Sequence, residues 1–396
     1  MTNILTISTL YNKGGAAYIA RQLHEGFKER GFSSHYLYGY DKKGLPSKHH
    51  QLDVESLNSS FTFIPHLNYI SHKLLGKDYF SPNTSILEDR LVWADVVICH
   101  TLHSHLINFQ LFFTLLTKYA PTKKIIFVAH DSWFYTGRCA FKFSCEDWLS
   151  GCLECSYKKY YPSTLLSNSK LEFERKKSAI AKIPNLFFVT PAKWIQADLE
   201  KVFSNKVFLV RNGIDTSYYE NILRKNEKKI GSKPVFCVSC VDLLQEGKVD
   251  LVLVEELLKL GFTVNLIGKN NPFKNYPNAI SHGYISEKNK YLKVLSDSDC
   301  YLFSSTIDIY PTVLIDAICS GCFIFYTDSQ GAIEIMESGN SWLGIQISNA
   351  TDIINYTRST EFASFCDDLA LRTDIVQKAR TFFSRDRMIQ EYINIL

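Results

Sequence analysis

At 396 residues, with 46% apolar and 21% charged side chains, the chain has ample material for a core and the length of two or three domains. Its formal charge of +4 is close to balanced and argues against a dedicated nucleic-acid binder. The opening MTNILTISTLYNKGG has no basic region and no long apolar run, and no segment approaches the roughly 20 apolar residues that span a bilayer, so a cytoplasmic protein with reduced cysteines is expected.

ILTIST (4–9) reads as a buried strand, followed by a turn at Gly14-Gly15 and a helix from about Ala16 that stops at Gly31. Further β-branched and aromatic runs come at DVVIC (95–99), KIIFVA (124–129), LFFVT (186–190) and VFLV (207–210), with helical stretches such as PAKWIQADLEKVF (191–203) between them. A polar stretch, YYENILRKNEKKIGSKP (218–234), has linker composition. The alternation then restarts with PVFCVS (234–239), a helix over about 248–260 closed by Gly261, FTVNLIG (262–268), a helix around 286–297, CYLFSS (300–305), a helix from Pro311 to Gly321, and CFIFYT (322–327). This α/β alternation predicts two Rossmann-like βαβ domains facing each other across a cleft. The domains are expected at 1–215 and 216–380, with a closing helical segment at 381–396.

The segment with most chemistry is SSTIDIYPTVLIDAICSGCFIFYTDSQGAIEI (304–335). Asp308 sits on a loop after a strand, and Pro311 suits the first helical position because its missing N–H would be unpaired there. Backbone N–H groups near Thr312 and Val313 then point out of a helix start, which favours an anion such as a diphosphate. Asp308 and Asp316 could accept hydrogen bonds from sugar or ribose hydroxyls; the plainer alternative is a helix-start acid and a surface Asp. Basic runs at YKKYY (157–161) and ERKKS (174–178) read as solvated faces.

GRCAFKFSCEDWLSGCLEC (137–155) holds four cysteines. Cys139, Cys145, Cys152 and Cys155 are spaced C-x5-C-x6-C-x2-C, and only the last pair has ordinary zinc spacing. A structural zinc clasp and a metal-free thiol loop both stand, and neither is catalytic. Cys99, Cys300, Cys319 and Cys366 read as core residues, and Cys237 and Cys240 as parts of a strand.

The 304–335 segment resembles the acid-x7-acid motif of retaining glycosyltransferases of family 4, which have the GT-B fold. Gly14-Gly15-Ala16 looks like that family's amino-terminal glycine loop, and CHTLHSHLIN (99–108) like its histidine-bearing strand end. AHDSWFYTGRC (129–139) is similar to the HD-x-W-x-x-T-G-x-C element of a subgroup that builds exopolysaccharide, capsule and O-antigen. SNSKLEFERKK (167–177), TPAKW (190–194), RNGID (211–215) and the closing FSRDRMIQEYINIL (383–396) add further matches, so the resemblance covers nearly the whole chain.

The resemblance implies sugar transfer, with retention, from a UDP- or GDP-sugar to a saccharide or lipid-linked oligosaccharide in surface-polysaccharide synthesis. It implies no cofactor for catalysis, no nucleic-acid partner and peripheral contact with the inner face of the membrane. Asp308 would hold the donor sugar, Asp316 the ribose, and the stretch Tyr310, Pro311, Thr312 and Val313 the diphosphate. Gly14 and Gly15 would let the backbone approach the donor. His130 would face the reacting centre, with His100, His103 and Asp131 on the acceptor side. The chain departs from the family in carrying Asp where both motif acids are usually Glu, and in lacking the arginine of an Arg/Lys phosphate pair. Asp242 stands near the arginine's place, and Lys248 stands one residue after the expected lysine, with Lys269 as a second candidate. A catalytically weak or inactive binding protein of the same pathway is therefore the alternative expectation.

Overall fold

The strand-forming runs assemble into two separate parallel sheets, one in each of two compact units: residues 1–211 with 388–396, and residues 212–387. The computed structural model describes residues 2–11, 14–40, 52–58, 63–81, 84–103, 107–153, 155, 157–159, 161–166, 168–219, 233–339 and 342–396. Most of the linker expected at 218–234 lies outside the described residues, as do positions 104–106 of the CHTLHSHLIN stretch.

In the first unit the described strands are β1 (Asn3–Leu10), β2 (Ser33–Tyr40), β3 (Val54–Ser56), β4 (Val96–Cys99), β5 (Lys124–Val128), β6 (Leu186–Thr190) and β7 (Val207–Leu209). They pair in the order β3-β2-β1-β4-β5-β6-β7, every pair parallel. Covered on both faces, the central strands are unbroken apolar runs, and all of Val96–Cys99 is buried. Strands β2 and β3 go beyond the sequence reading, because polar residues interrupt the apolar pattern. Their burial is tolerated because each finds a partner: Ser34 Oγ lies 2.8 Å from His24 Nδ1, and His35 Nε2 lies 3.1 Å from Glu55.

The closing helix is Arg385–Ile395, inside the segment expected at 381–396. Its Met388, Ile389 and Tyr392 join the first unit's core beside Ile4, Leu23 and Phe27. Gly26 is required there, since a Cβ at that position would overlap the Ile389 side chain. Lys124 Nζ then donates to the carbonyls of Ile395 at 2.7 Å and Leu396 at 2.6 Å.

The second unit's described strands are β8 (Val235–Asp242), β9 (Thr263–Lys269), β10 (Ala279–Gly283), β11 (Cys300–Phe303), β12 (Phe323–Tyr326) and β13 (Gly344–Gln346), in the order β10-β9-β8-β11-β12-β13. Phe236, Val264, Leu302 and Phe325 carry its core. Two helix starts differ from expectation. The helix expected from 248 begins at Leu251, because Asp250 caps it by accepting from Leu253 N at 3.0 Å. Pro311 is the cap of the Thr312–Cys319 helix and not its first turn, with an extended ψ of 116°.

Each sheet order reverses once, between β1 and β4 in the first unit and between β8 and β11 in the second. At such a reversal the crossover connections leave in opposite directions, opening a crevice beyond the carboxyl ends of the two strands. Apart from Asp242, which ends β8, and Lys269, which ends β9, the candidate site residues follow β1, β4 and β5, or β8 and β11.

Candidate active-site residues at the two switch points

In the second unit, β11 delivers its chain into Ser304 and Ser305, both buried, and then into the loop that carries Asp308. The loop after β8 is fastened to it. Thr306 N donates to Gly247 O at 2.9 Å and Ser305 Oγ donates to the same oxygen at 3.2 Å. Gly247 must be glycine, because its φ is +77° and a Cβ would come within 2.8 Å of Ile307 Cγ2. The junction brings Lys248 Nζ to 2.6 Å from Asp308 Oδ1, both side chains about a quarter exposed. Lys269, the other candidate cation, lies instead near the Tyr284 ring, 5.8 Å from its centroid.

No side chain caps the helix that opens at Thr312. Leu314 N and Ile315 N both turn back to Pro311 O, so the first-turn N–H groups of Thr312 and Val313 face outward along the helix axis. Tyr310 is buried, and its carbonyl accepts from Asn212 Nδ2 at 3.4 Å. One turn into the helix, Asp316 is buried with both oxygens engaged. Tyr219 Oη donates to Oδ1, and Lys288 Nζ donates to Oδ2 at 2.7 Å. Burial beside this carboxylate pushes the Tyr219 hydroxyl well above its ordinary pKa, so it stays a donor. Asp316 was expected to face a ribose directly; in this structure Tyr219 and Lys288 occupy it.

In the first unit, β1 leads to Gly14, which holds φ +92°, a conformation that favours glycine. A Cβ on Gly15 would meet no described atom within 4 Å, so packing does not explain that residue. Thr9 joins the end of β1 to the segment after β4, its Oγ1 lying 2.7 Å from both Thr101 O and His103 O.

The histidines meet beyond β4 and β5. His100 Nδ1 lies 2.8 Å from His130 Nε2, with the two rings tilted by only 17°. Burial lowers both pKa values, that of His130 to about 4, and proximity to His130 adds to the effect at His100. A neutral pair follows, in which one ring donates to the other. Beside it, His103 Nε2 lies 2.6 Å from Asp131 Oδ2, and Asp131 Oδ1 accepts from Trp133 N at 2.9 Å. Burial alone would raise the Asp131 pKa, but His103 and the Trp133 N–H outweigh it and the carboxyl lies below its usual range. The structure thus gathers His100, His103, His130 and Asp131 into one network.

The four cysteines line one small cavity with Arg138, Lys142 and Trp148. The Cys139 and Cys155 thiols pair with each other, which holds Cys155 well below the ordinary thiol range, with Arg138 adding to the effect. Gly137 N meanwhile donates to Cys152 Sγ at 3.1 Å. Among the described residues no three Cys, His, Asp or Glu side chains converge to hold a metal, so the arrangement does not fit a four-sulfur zinc clasp. Buried cations fasten this loop instead. Arg138 donates to the carbonyls of Pro162 and Tyr157, and Lys176 donates to Trp133 O over the Trp133 ring. The ERKKS run is a solvated face at Glu174, Arg175, Lys177 and Ser178, but Lys176 is the exception, only 1% exposed, and burial lowers its pKa to about 7. Neither Lys176 nor Lys288 carries a local sequence signal; both look like ordinary helix-surface lysines until the packing is seen.

No family model matches the chain. It is 28% identical over 412 aligned residues to WcaC of Escherichia coli (strain K12), described as a colanic acid biosynthesis glycosyl transferase, covering 99% of this chain and 98% of that one. Among solved structures it is similar to Anabaena Alr3699/HepE in complex with UDP, with a TM-score of 0.65 at 13% identity over 100% of this chain and 99% of that one. It is also similar to WaaG, a glycosyltransferase involved in lipopolysaccharide biosynthesis, with a TM-score of 0.57 at 12% identity over 99% of both chains. Its two parallel sheets with flanking helices are the fold of these proteins, the GT-B fold.

Proposed function

We propose that this chain, a GT-B glycosyltransferase of surface-polysaccharide biosynthesis, moves a sugar with retention from a UDP- or GDP-sugar to a hydroxyl of a saccharide or lipid-linked saccharide. The observation that carries the reading is the uncapped helix start at Thr312, lying beyond a switch-point strand with Lys–Asp pairs at Asp308 and Asp316. In this reading the diphosphate rests on the amides of Thr312 and Val313 beside Lys248, and Asp308 accepts hydrogen bonds from the donor sugar. Gly14 and Gly15 give the backbone close approach to the donor. His130, neutral at pH 7, hydrogen-bonds the donor sugar or the acceptor hydroxyl, and His100, His103 and Asp131 hold that face of the first unit.

The acceptor oxygen bonds to the anomeric carbon on the face from which the diphosphate departs. The acceptor's proton passes to the leaving phosphate oxygen. Positioning, together with stabilisation of charge on the leaving group by lysine and helix N–H groups, supplies the catalysis, and no divalent ion is required.

The test is a panel of UDP-, GDP- and CMP-sugars, read first by thermal shift and then by nucleotide release with candidate acceptors. A rise in melting temperature with one UDP- or GDP-sugar, followed by release, is the expected result. Stabilisation without release from any acceptor would favour the binding-protein alternative, and no stabilisation by any nucleotide-sugar would defeat both.

Peripheral membrane contact belongs to the same reading, on a surface that includes two lysines of the YKKYY run. Among the described residues no helix is long and apolar enough to cross a membrane. The Ile64–Leu75 helix exposes Tyr69, Ile70 and Leu74 by 57%, 53% and 47%, and Leu165 and Leu166 are docked on its end by hydrogen bonds to Lys73 O and Leu74 O. Apolar side chains flanked by exposed Lys73, Lys158 and Lys159 suit an anionic bilayer interface. Sedimentation with anionic vesicles at low salt is expected to carry the protein down, and Ile70→Ser with Leu165→Ser to leave it in solution. Equal sedimentation of both proteins would remove this surface from the proposal.

A further inference from the structure

A nucleoside diphosphate brings two or more negative charges to a place that already contains Asp308 and Asp316. Each carboxylate is matched by one ammonium, Lys248 at 2.6 Å and Lys288 at 2.7 Å. The two pairs differ in depth. Asp308 and Lys248 are similarly exposed, whereas the Asp316 side chain is 6% exposed and Lys288 is 27% exposed. Lys288 therefore covers Asp316, and the group offered outward there is a cation with three N–H donors, only one of which the carboxylate uses.

Its place follows from helix geometry. Asp316 is four residues after Thr312, on the same face and one turn below it, and helical side chains lean toward the N-terminus. A side chain bonded to Asp316 Oδ2 thus stands beside the turn whose amides of Thr312 and Val313 face outward. Lys288 is delivered by the first residue of the Lys288–Ser296 helix, whose Tyr291 is anchored through its hydroxyl, 3.0 Å from Ser239 Oγ on β8. One strand and two helices therefore set this ammonium.

Resting on the donor-site reading above, we infer that Lys288 is a nucleotide-binding residue. It holds Asp316 with one N–H and gives the others to phosphate oxygens of a nucleoside diphosphate. Lys248 and Lys288 together then supply the two positive charges for the diphosphate, and Asp316 acts through Lys288, not on the ribose.

The test measures UDP, GDP and uridine binding by calorimetry on the full chain, in the wild type, Lys288→Met, Lys288→Arg and Lys293→Met. Lys293 is an exposed cation of the same helix, paired with Asp297, and serves as the control. The inference expects Lys288→Met to weaken whichever diphosphate the wild type binds by tenfold or more and to flatten its salt dependence. It also expects Lys288→Arg to recover most of the loss, and Lys293→Met to bind as the wild type does. Because Lys288→Met leaves a buried carboxylate unpaired, the double variant Lys288→Met, Asp316→Asn is measured too, and it is expected to show the same loss with restored thermal stability. Unchanged diphosphate affinity in a folded Lys288→Met or double variant overturns the inference and leaves the donor site standing. An equal loss for uridine and UDP overturns it as well, since the contact would then be to the nucleoside. Failure of the wild type to bind either diphosphate removes the donor-site reading itself, and this inference with it.

Discussion

Asp308→Ala is expected to reduce sugar transfer by about a hundredfold or more while leaving the protein folded. Two charge-assisted hydrogen bonds that Asp308 accepts from hydroxyls of the donor sugar in the proposed site, at ~1.5–3 kcal/mol each, correspond to roughly two to four decades in rate when both strengthen in the transition state. The fold survives because the residue is on a loop, about a quarter exposed, and its partner Lys248 can turn to solvent. Since Asp308 is assigned to the sugar and not to the nucleotide, UDP or GDP alone should still raise the variant's melting temperature as in the wild type. Nucleotide release measured beside thermal shift separates these effects. Turnover near the wild-type rate in Asp308→Ala would mean that the donor sugar is held elsewhere.

The second large effect is acid destabilisation between pH 6.5 and 4. His24 is buried, with Nδ1 on Ser34, and burial lowers its pKa to about 4; His130 is lowered to about 4 as well, and His100 further. Between pH 6.5 and 4 the unfolded chain takes up protons on these rings and the native state does not. Stability is therefore fully present above pH 6.5 and is lost as the pH falls toward 4. A shift of this size is worth about 3 kcal/mol for His24, and less for His130, which is partly exposed. Urea unfolding at half-unit pH steps should show the fall, and His24→Gln should remove one ring's share of the slope. A flat stability profile over that range would show that these rings are protonated in the folded protein.

The same physics explains why some of the site could be read early. Gly14 and Pro311 announce backbone geometry by residue type alone, and Asp308 follows an apolar run that could only be a buried strand. The histidines at 100 and 130 were visible as strand-end residues, but their direct hydrogen bond was not, because it joins chain segments thirty residues apart. Lys288 and Tyr219 carry no marker at all. A lysine at a helix start and a tyrosine near a polar stretch acquire meaning only when both meet one buried carboxylate. The cysteine spacing left a zinc clasp and a metal-free loop both open, and how the loop is held could not be read from it: the fold pairs Cys139 with Cys155 and fastens the loop with Arg138 and Lys176.

The order of apolar runs and helix stops by itself determined that this chain forms two parallel α/β units, because strand and helix periodicities are local properties of the chain. It also put His100, His130 and Asp308 shortly after apolar strands. Only the tertiary structure decided which charges meet: Lys248 on Asp308, Lys288 on Asp316, and His103 on Asp131. Such pairings depend on contacts between distant segments and on burial, which raises the cost of any unpaired charge, and neither can be read from local sequence.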